Sequence, residues 1–158
     1  MTSFLRYWVP LMVWMVVIFS ASADAQSAQR TSRFLEPFLR WFNPDVSPET
    51  VELVRWAIRK MAHLAEYAIL AWLAWRALRK PRRSDLRPWS WKTAGAALGI
   101  VVLYAATDEI HQTFVPNRTG ALRDVCIDTL GGALGLLALC AWHGLRNRRR
   151  ARSKSKTE

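Results

Sequence analysis

Cysteine is all but missing from this chain. The two that occur, Cys126 and Cys140, fall in one apolar block, and on a single helix they would stand roughly 21 Å apart at about 1.5 Å per residue. That excludes a bridge between them, and nothing in the sequence suggests a disulfide framework or thiol chemistry. Hydrolase signatures are missing too. There is no Gly-x-Ser-x-Gly, and His63-x-x-Glu66 lacks the second histidine that a zinc protease needs. Acidic residues are scarce, 12 against 23 basic ones, for a net charge of +11.

Nor is the positive charge spread evenly. Arg76, Arg79, Lys80, Arg82, Arg83 and Arg87 crowd one short stretch with only Asp85 to oppose them, and a second run starts at Arg146. The rest of the chain sums to zero. A nucleic-acid surface would carry its basic residues on a folded face with interleaved aromatics. Here each run directly follows a hydrophobic block, which is how cytoplasmic flanks of membrane helices look. The pattern speaks against a nucleic-acid partner and for a lipid bilayer, with anionic inner-leaflet lipids as a secondary attraction.

What the chain has in quantity is apolar residues, 51 % of the total, arranged in long blocks. The first runs from about Phe4 to Ala21. It reads as a transmembrane helix or as the core of a signal peptide, since Ala21-Ser22-Ala23 resembles a cleavage site; Trp8 and Trp14 favour a retained helix. Next, Phe34, Leu35, Phe38, Leu39, Trp41 and Phe42 recur at near-helical spacing. This is an amphipathic segment at the outer interface or, because of Pro37, a looser aromatic loop. Ser47-Pro48-Glu49 opens a second block with a cap, a first-turn proline and an acid at the positive helix end. That block runs to about Leu78, the third from about Trp89 to Gln112, and the fourth from about Arg123 to His143.

Each block is long enough for a bilayer crossing of roughly 20 helical residues. The expected fold is therefore all-α, a polytopic membrane bundle of about four transmembrane helices over 1–145, followed by a basic cytoplasmic tail over 146–158. Loop charge puts 79–88 and the tail inside, segments 24–52 and 108–124 outside, and both termini in the cytoplasm of a bacterial inner membrane.

That topology brings three polar stripes to the outer side. Lys60, His63, Glu66 and Tyr67 share a face by their three- and four-residue spacing, with Arg59 beside them; Tyr104, Asp108, His111 and Gln112 do the same, with Glu109 adjacent. Asp124 and Asp128 lie one turn apart, and Gly131, Gly132 and Gly135 follow, with a GxxxG spacing suited to close helix packing. The intervening loop supplies Arg118. Ionisable groups in a bilayer cost about 2.5–3.5 kcal/mol each on insertion scales, so they are expected to face one another or a water-filled cavity opening outwards. Lys60 with Glu66, and Arg118 with Asp124 or Asp128, are the expected pairs.

Arg59-Lys60-x-x-His63-x-x-Glu66-Tyr67-x-x-Leu70, Asp108-Glu109-x-His111-Gln112-x-x-x-Pro116-x-Arg118 and Asp124-x-x-x-Asp128-x-x-Gly131-Gly132-x-x-Gly135 together resemble the signature of VanZ-like proteins. The resemblance covers roughly residues 8–144. It implies a small multi-helix integral membrane protein of the cell envelope, of a family named after a protein associated with teicoplanin resistance. It implies no agreed activity.

For function, Arg59, Lys60 and Arg118 would grip an anionic lipid headgroup, with polyprenyl phosphates the natural class. The excess of carboxylates opposes that reading. A metal-dependent lipid-phosphate hydrolase is the second, since His63, Glu66, Asp108, His111, Asp124 and Asp128 offer enough nitrogen and oxygen ligands for a divalent metal. A purely structural polar cluster is the third. A proton path ranks last because the inner halves of the helices are apolar.

Overall fold

The computed structural model describes residues 2–23, 27–81, 85, 87–115 and 120–154. Among them the regular elements are all helices: α1 (Thr2–Ala23), α2 (Ser27–Phe42), α3 (Pro48–Arg79), α4 (Trp91–Gln112) and α5 (Leu122–Lys154). The boundaries follow local chemistry. Ser47 caps α3 by accepting the Thr50 N–H at 3.3 Å, with Pro48 in the first turn. Ser90 caps α4 through the Thr93 N–H at 3.3 Å. Lys80 ends α3 in the left-handed conformation at φ 48°, its N–H returning to the Arg76 carbonyl. A lysine there is a strained substitute for the usual glycine.

Three helical stretches are long and apolar enough to cross a membrane, Phe4–Ser22, Trp91–Gln112 and Leu122–Arg149. Helix α3 is set apart by its charge and its length. Its 32 residues would span about 48 Å, against a hydrocarbon core of about 30 Å. The inner part, from Tyr67 to Ala77, is packed among the other helices and is largely buried, while Glu52, Leu53, Trp56 and Arg59 are exposed. The charged first half has room to stand outside the hydrocarbon.

Contacts fix the directions. Lys60 meets Asp124, and Gly131 and Gly135 meet Leu64 and Ala68, so α3 and α5 run parallel. Trp14 donates to the Glu66 carbonyl at 2.9 Å and Tyr7 to the Pro81 carbonyl at 2.8 Å, so α1 runs antiparallel to α3. Tyr104 bonds the Met15 carbonyl and Ser22 bonds Asp108, which makes α1 parallel to α4. The core between them is Leu11, Ile18, Tyr67, Leu70, Ala74, Ala97, Val101 and Leu136. Outward faces carry Val16, Leu103, Ile110, Leu130, Leu134 and Leu137, exposed as lipid-facing residues are. This is a polytopic helical membrane bundle.

Several details resolve or correct the sequence reading. Of the two readings of the 34–42 segment the structure takes the helical one, with Pro37 inside α2. Helix α5 does not stop near His143 but runs on to Lys154, through most of the basic tail. Helix α1 is woven into the bundle by the Tyr7, Trp14 and Ser22 bonds above. Trp75 stacks on Trp89 at 5.6 Å in the interhelical core, whereas Trp72, Trp91 and Trp142 are exposed.

The α3–α4 connection also spends its charge differently. Arg79 is buried and donates to the Arg87 and Pro88 carbonyls at 2.7 and 2.9 Å, while Asp85 receives Arg79 and Arg87. Arg87 hydrogen-bonds the Asp85 carboxyl and holds it well below its ordinary value of 3.8. A group whose folded value is depressed contributes stability above its unfolded value and loses it as pH falls through the folded one. The clasp is therefore expected to be intact at neutral pH and to loosen below about pH 4. Acid titration followed by indole fluorescence in detergent checks this: Asp85→Asn should lack the acid-dependent transition that the wild type shows.

Candidate functional site

The N-terminal halves of α3 and α5 form a ladder. Parallel helices keep a constant register, so residues one turn apart on one helix meet residues one turn apart on the other. Lys60 Nζ lies 2.5 Å from Asp124 Oδ1, and a turn deeper His63 Nδ1 lies 3.2 Å from Asp128 Oδ1. Below these rungs there is no space for side chains. A Cβ on Gly131 would stand 2.6 Å from the Leu64 carbonyl oxygen, and one on Gly135 2.8 Å from Ala68 Cα. Gly132 faces the other way, towards Val101 of α4 at 2.8 Å. The small residues thus draw α5 onto α3, and the approach sets the reach of both rungs.

Helix α4 brings the second part. Asp108 is 2 % exposed and its Oδ2 receives Ser22 of α1 at 2.7 Å, Tyr67 of α3 at 3.4 Å and Gln112 at 3.2 Å. Three helices are pinned to one oxygen. Glu109 accepts Gln112 at 3.2 Å and the Ala121 N–H at 2.8 Å, which ties the end of α4 to the start of α5. His111 stacks against Phe19 of α1 at 4.2 Å.

Among the described residues, Asp108 Oδ1, Asp128 Oδ2 and His111 Nε2 are buried polar atoms without a partner. Asp128 is fully buried. An unpaired buried acceptor is costly, about 1–3 kcal/mol, and in native proteins it commonly marks a place for water or a ligand. Glu66 is half-buried, takes no hydrogen bond from the described residues, and is close enough to His63, Asp108 and Asp128 to feel their charges.

Lys60 thus pairs with Asp124 and not with Glu66. Six residues on a helix turn through 600°, which leaves the two side chains on different faces. Arg118 lies outside the described residues. Arg59 is exposed beside the ladder. Two contributors were missed. Ser22 looked like part of a cleavage site, and nothing local tells that it reaches α4. Arg123, read only as a helix start, lies over the Trp56 ring at 5.8 Å, one turn before Lys60; the signal available was its place next to Asp124. Among the described residues no group of three His, Cys, Asp or Glu side chains is arranged to hold a metal ion.

The geometry defines a polytopic helical membrane protein with polar side chains from α1 and ionisable ones from α3, α4 and α5 gathered at one end of the bundle. The family model described as VanZ/LLP1 matches residues 7–143, and the chain belongs to that family. No curated protein and no solved structure matches it. The matched stretch starts within α1 and so takes in the helix that donates Ser22.

Proposed function

We propose that this is a cell-envelope protein of the bacterial plasma membrane, with both termini cytoplasmic, that binds an anionic lipid-linked ligand at the outer end of the α3–α5 ladder. The observation that carries this reading is the gathering of three basic side chains at one rim. Arg59 is exposed, Lys60 keeps part of its surface at 17 % exposure, and Arg123 stacks on Trp56 beside them. Only Asp124 is paired to any of the three among the described residues. A guanidinium and an ammonium at an interface bind phosphate oxygens by charge-assisted hydrogen bonds. The apolar tail would lie along the lipid-facing helices. Polyprenyl phosphates of envelope synthesis fit this chemistry, and a role under glycopeptide stress would follow from handling such carriers.

The test uses farnesyl phosphate as a short polyprenyl phosphate, titrated into the purified protein in detergent beside farnesol. Lys60→Ala and Arg123→Ala are each expected to weaken farnesyl phosphate by about tenfold, the equivalent of one charge-assisted bond of about 1.5 kcal/mol. Equal binding of farnesol, or unchanged affinity in both variants, would reject the reading.

A further inference from the structure

The basic rim sits above an acidic floor. Going inwards along the ladder, Arg59, Lys60 and Arg123 give way to Glu66, Asp108 and Asp128, with His63 as the one nitrogen base bonded between them. A simple anion held at the rim would leave the oxygens of the floor without a donor. A simple cation would do the reverse.

We propose that the ligand is a zwitterion, a phosphate ester carrying a primary ammonium group a short linker away. This rests on the anion site at the rim. The phosphate sits at Arg59, Lys60 and Arg123, and the ammonium enters among Glu66, Asp108 and Asp128. The acceptors fit the group. An ammonium offers three donors and no acceptor, and Asp108 Oδ1, Asp128 Oδ2 and the Glu66 carboxylate all lack donors among the described residues. Asp108 and Asp128 are more than nine-tenths buried, so their free oxygens face the interior of the bundle and not bulk water. Hydroxyl groups could donate to these oxygens but would leave the like charges unbalanced.

The spacing fits as well. The two rungs are three residues apart on α3, about 4.5 Å by helical rise, so an aminoethyl phosphate held at Lys60 brings its ammonium to the level of Asp128, with Glu66 one turn further along α3. Asp128 is fully buried, so the ammonium reaches it by displacing the His63 ring, 13 % exposed and bonded to the same carboxylate. His63 is then the gate between rim and floor, and the same displacement frees its nitrogen to bond the phosphate.

The chemistry is shared by phosphatidylethanolamine-type lipids and by free aminoalkyl phosphates, so both are used as probes. Binding to the full chain in detergent is measured for dihexanoyl phosphatidylethanolamine, its N-acetylated form, and O-phosphoethanolamine. Wild type should prefer the amine over the N-acetyl lipid by about tenfold or more. Asp128→Asn should abolish that preference while still binding the N-acetyl form, and Lys60→Ala should weaken both lipids. Glu66→Gln serves as a second floor variant, on a half-buried position, should Asp128→Asn not fold. O-phosphoethanolamine binding with the same amine preference supports the zwitterion and assigns a soluble source; its failure beside lipid binding supports a lipid. Equal binding of amine and N-acetyl lipids, with both weakened by Lys60→Ala, would overturn the zwitterion and leave the anion site standing. Lipid binding indifferent to Lys60→Ala would overturn both.

Discussion

Gly131→Val is expected to be the most damaging single substitution on α5, lowering stability by about 3 kcal/mol, the upper end for overpacking, and the melting temperature in detergent by roughly 6–12 °C. The reason is the identity of the neighbours. A Cβ at 131 would meet the Leu64 carbonyl oxygen at 2.6 Å and Leu64 Cα at 2.8 Å. These are backbone atoms of a helix, and no rotamer change moves them aside. Helix α5 would have to withdraw from α3, and both rungs depend on that distance. Valine at 131 should therefore abolish ligand binding as well as lower stability. Gly132→Ala should be milder, because its nearest neighbour is a Val101 methyl. Gly99→Val is the control, since nothing lies within 4 Å of a Cβ there. Tryptophan-fluorescence melts of the three variants decide the point; similar melting for Gly131→Val and Gly99→Val would show that the α3–α5 approach does not hold the bundle together.

The second large effect is expected at Asp108. Asp108→Ala removes the acceptor shared by Ser22, Tyr67 and Gln112. Interhelical hydrogen bonds in membranes average about 0.6 kcal/mol and reach about 1.7, so losing the two from Ser22 and Tyr67 together with the Gln112 bond within α4, with Tyr67 fully buried, should cost about 2–3 kcal/mol. Asp108→Asn keeps one acceptor oxygen and should retain about half of that. Ser22→Ala should cost under about 1 kcal/mol, because it removes a single bond. The order Ala, then Asn, then the Ser22 variant, read from melting in detergent, separates a shared node from three unrelated contacts. If Asp108→Asn proved as harmful as Asp108→Ala, the negative charge rather than the hydrogen bonds would be what the bundle needs.

Much of this arrangement is legible in the chain. Ser47-Pro48 and Ser90 announce helix starts because caps are local, and the three- and four-residue spacing of Lys60, His63 and Tyr67 places them on adjoining faces because helical geometry is local too. Loop charge brings the polar ends of α3, α4 and α5 together, since a crossing count needs no tertiary knowledge. What the chain does not announce is pairing. Lys60 looked closest to Glu66 in sequence, yet helical rotation separates them and the α3–α5 register selects Asp124. That register is set by Gly131 and Gly135 against Leu64 and Ala68, a contact between helices far apart in the chain. Ser22 shows the same limit. A small polar residue at the end of an apolar block has no period to betray it, and its role exists only because α1 lies beside α4.

Helix α5 has one further consequence, a mechanical one. It is a single unbroken rod from Leu122 to Lys154, clamped to α3 at Gly131 and Gly135. With its fulcrum near 133, the arm to Asp124 is about 13 Å and the arm to Lys154 about 31 Å at the helical rise. Moving as one body, the rod turns each ångström of displacement at Asp124 into a swing of about two at the arginine-rich end, in the opposite direction. On the proposed reading, an occupant that parted Lys60 from Asp124 would be reported, enlarged and inverted, at the other end of α5.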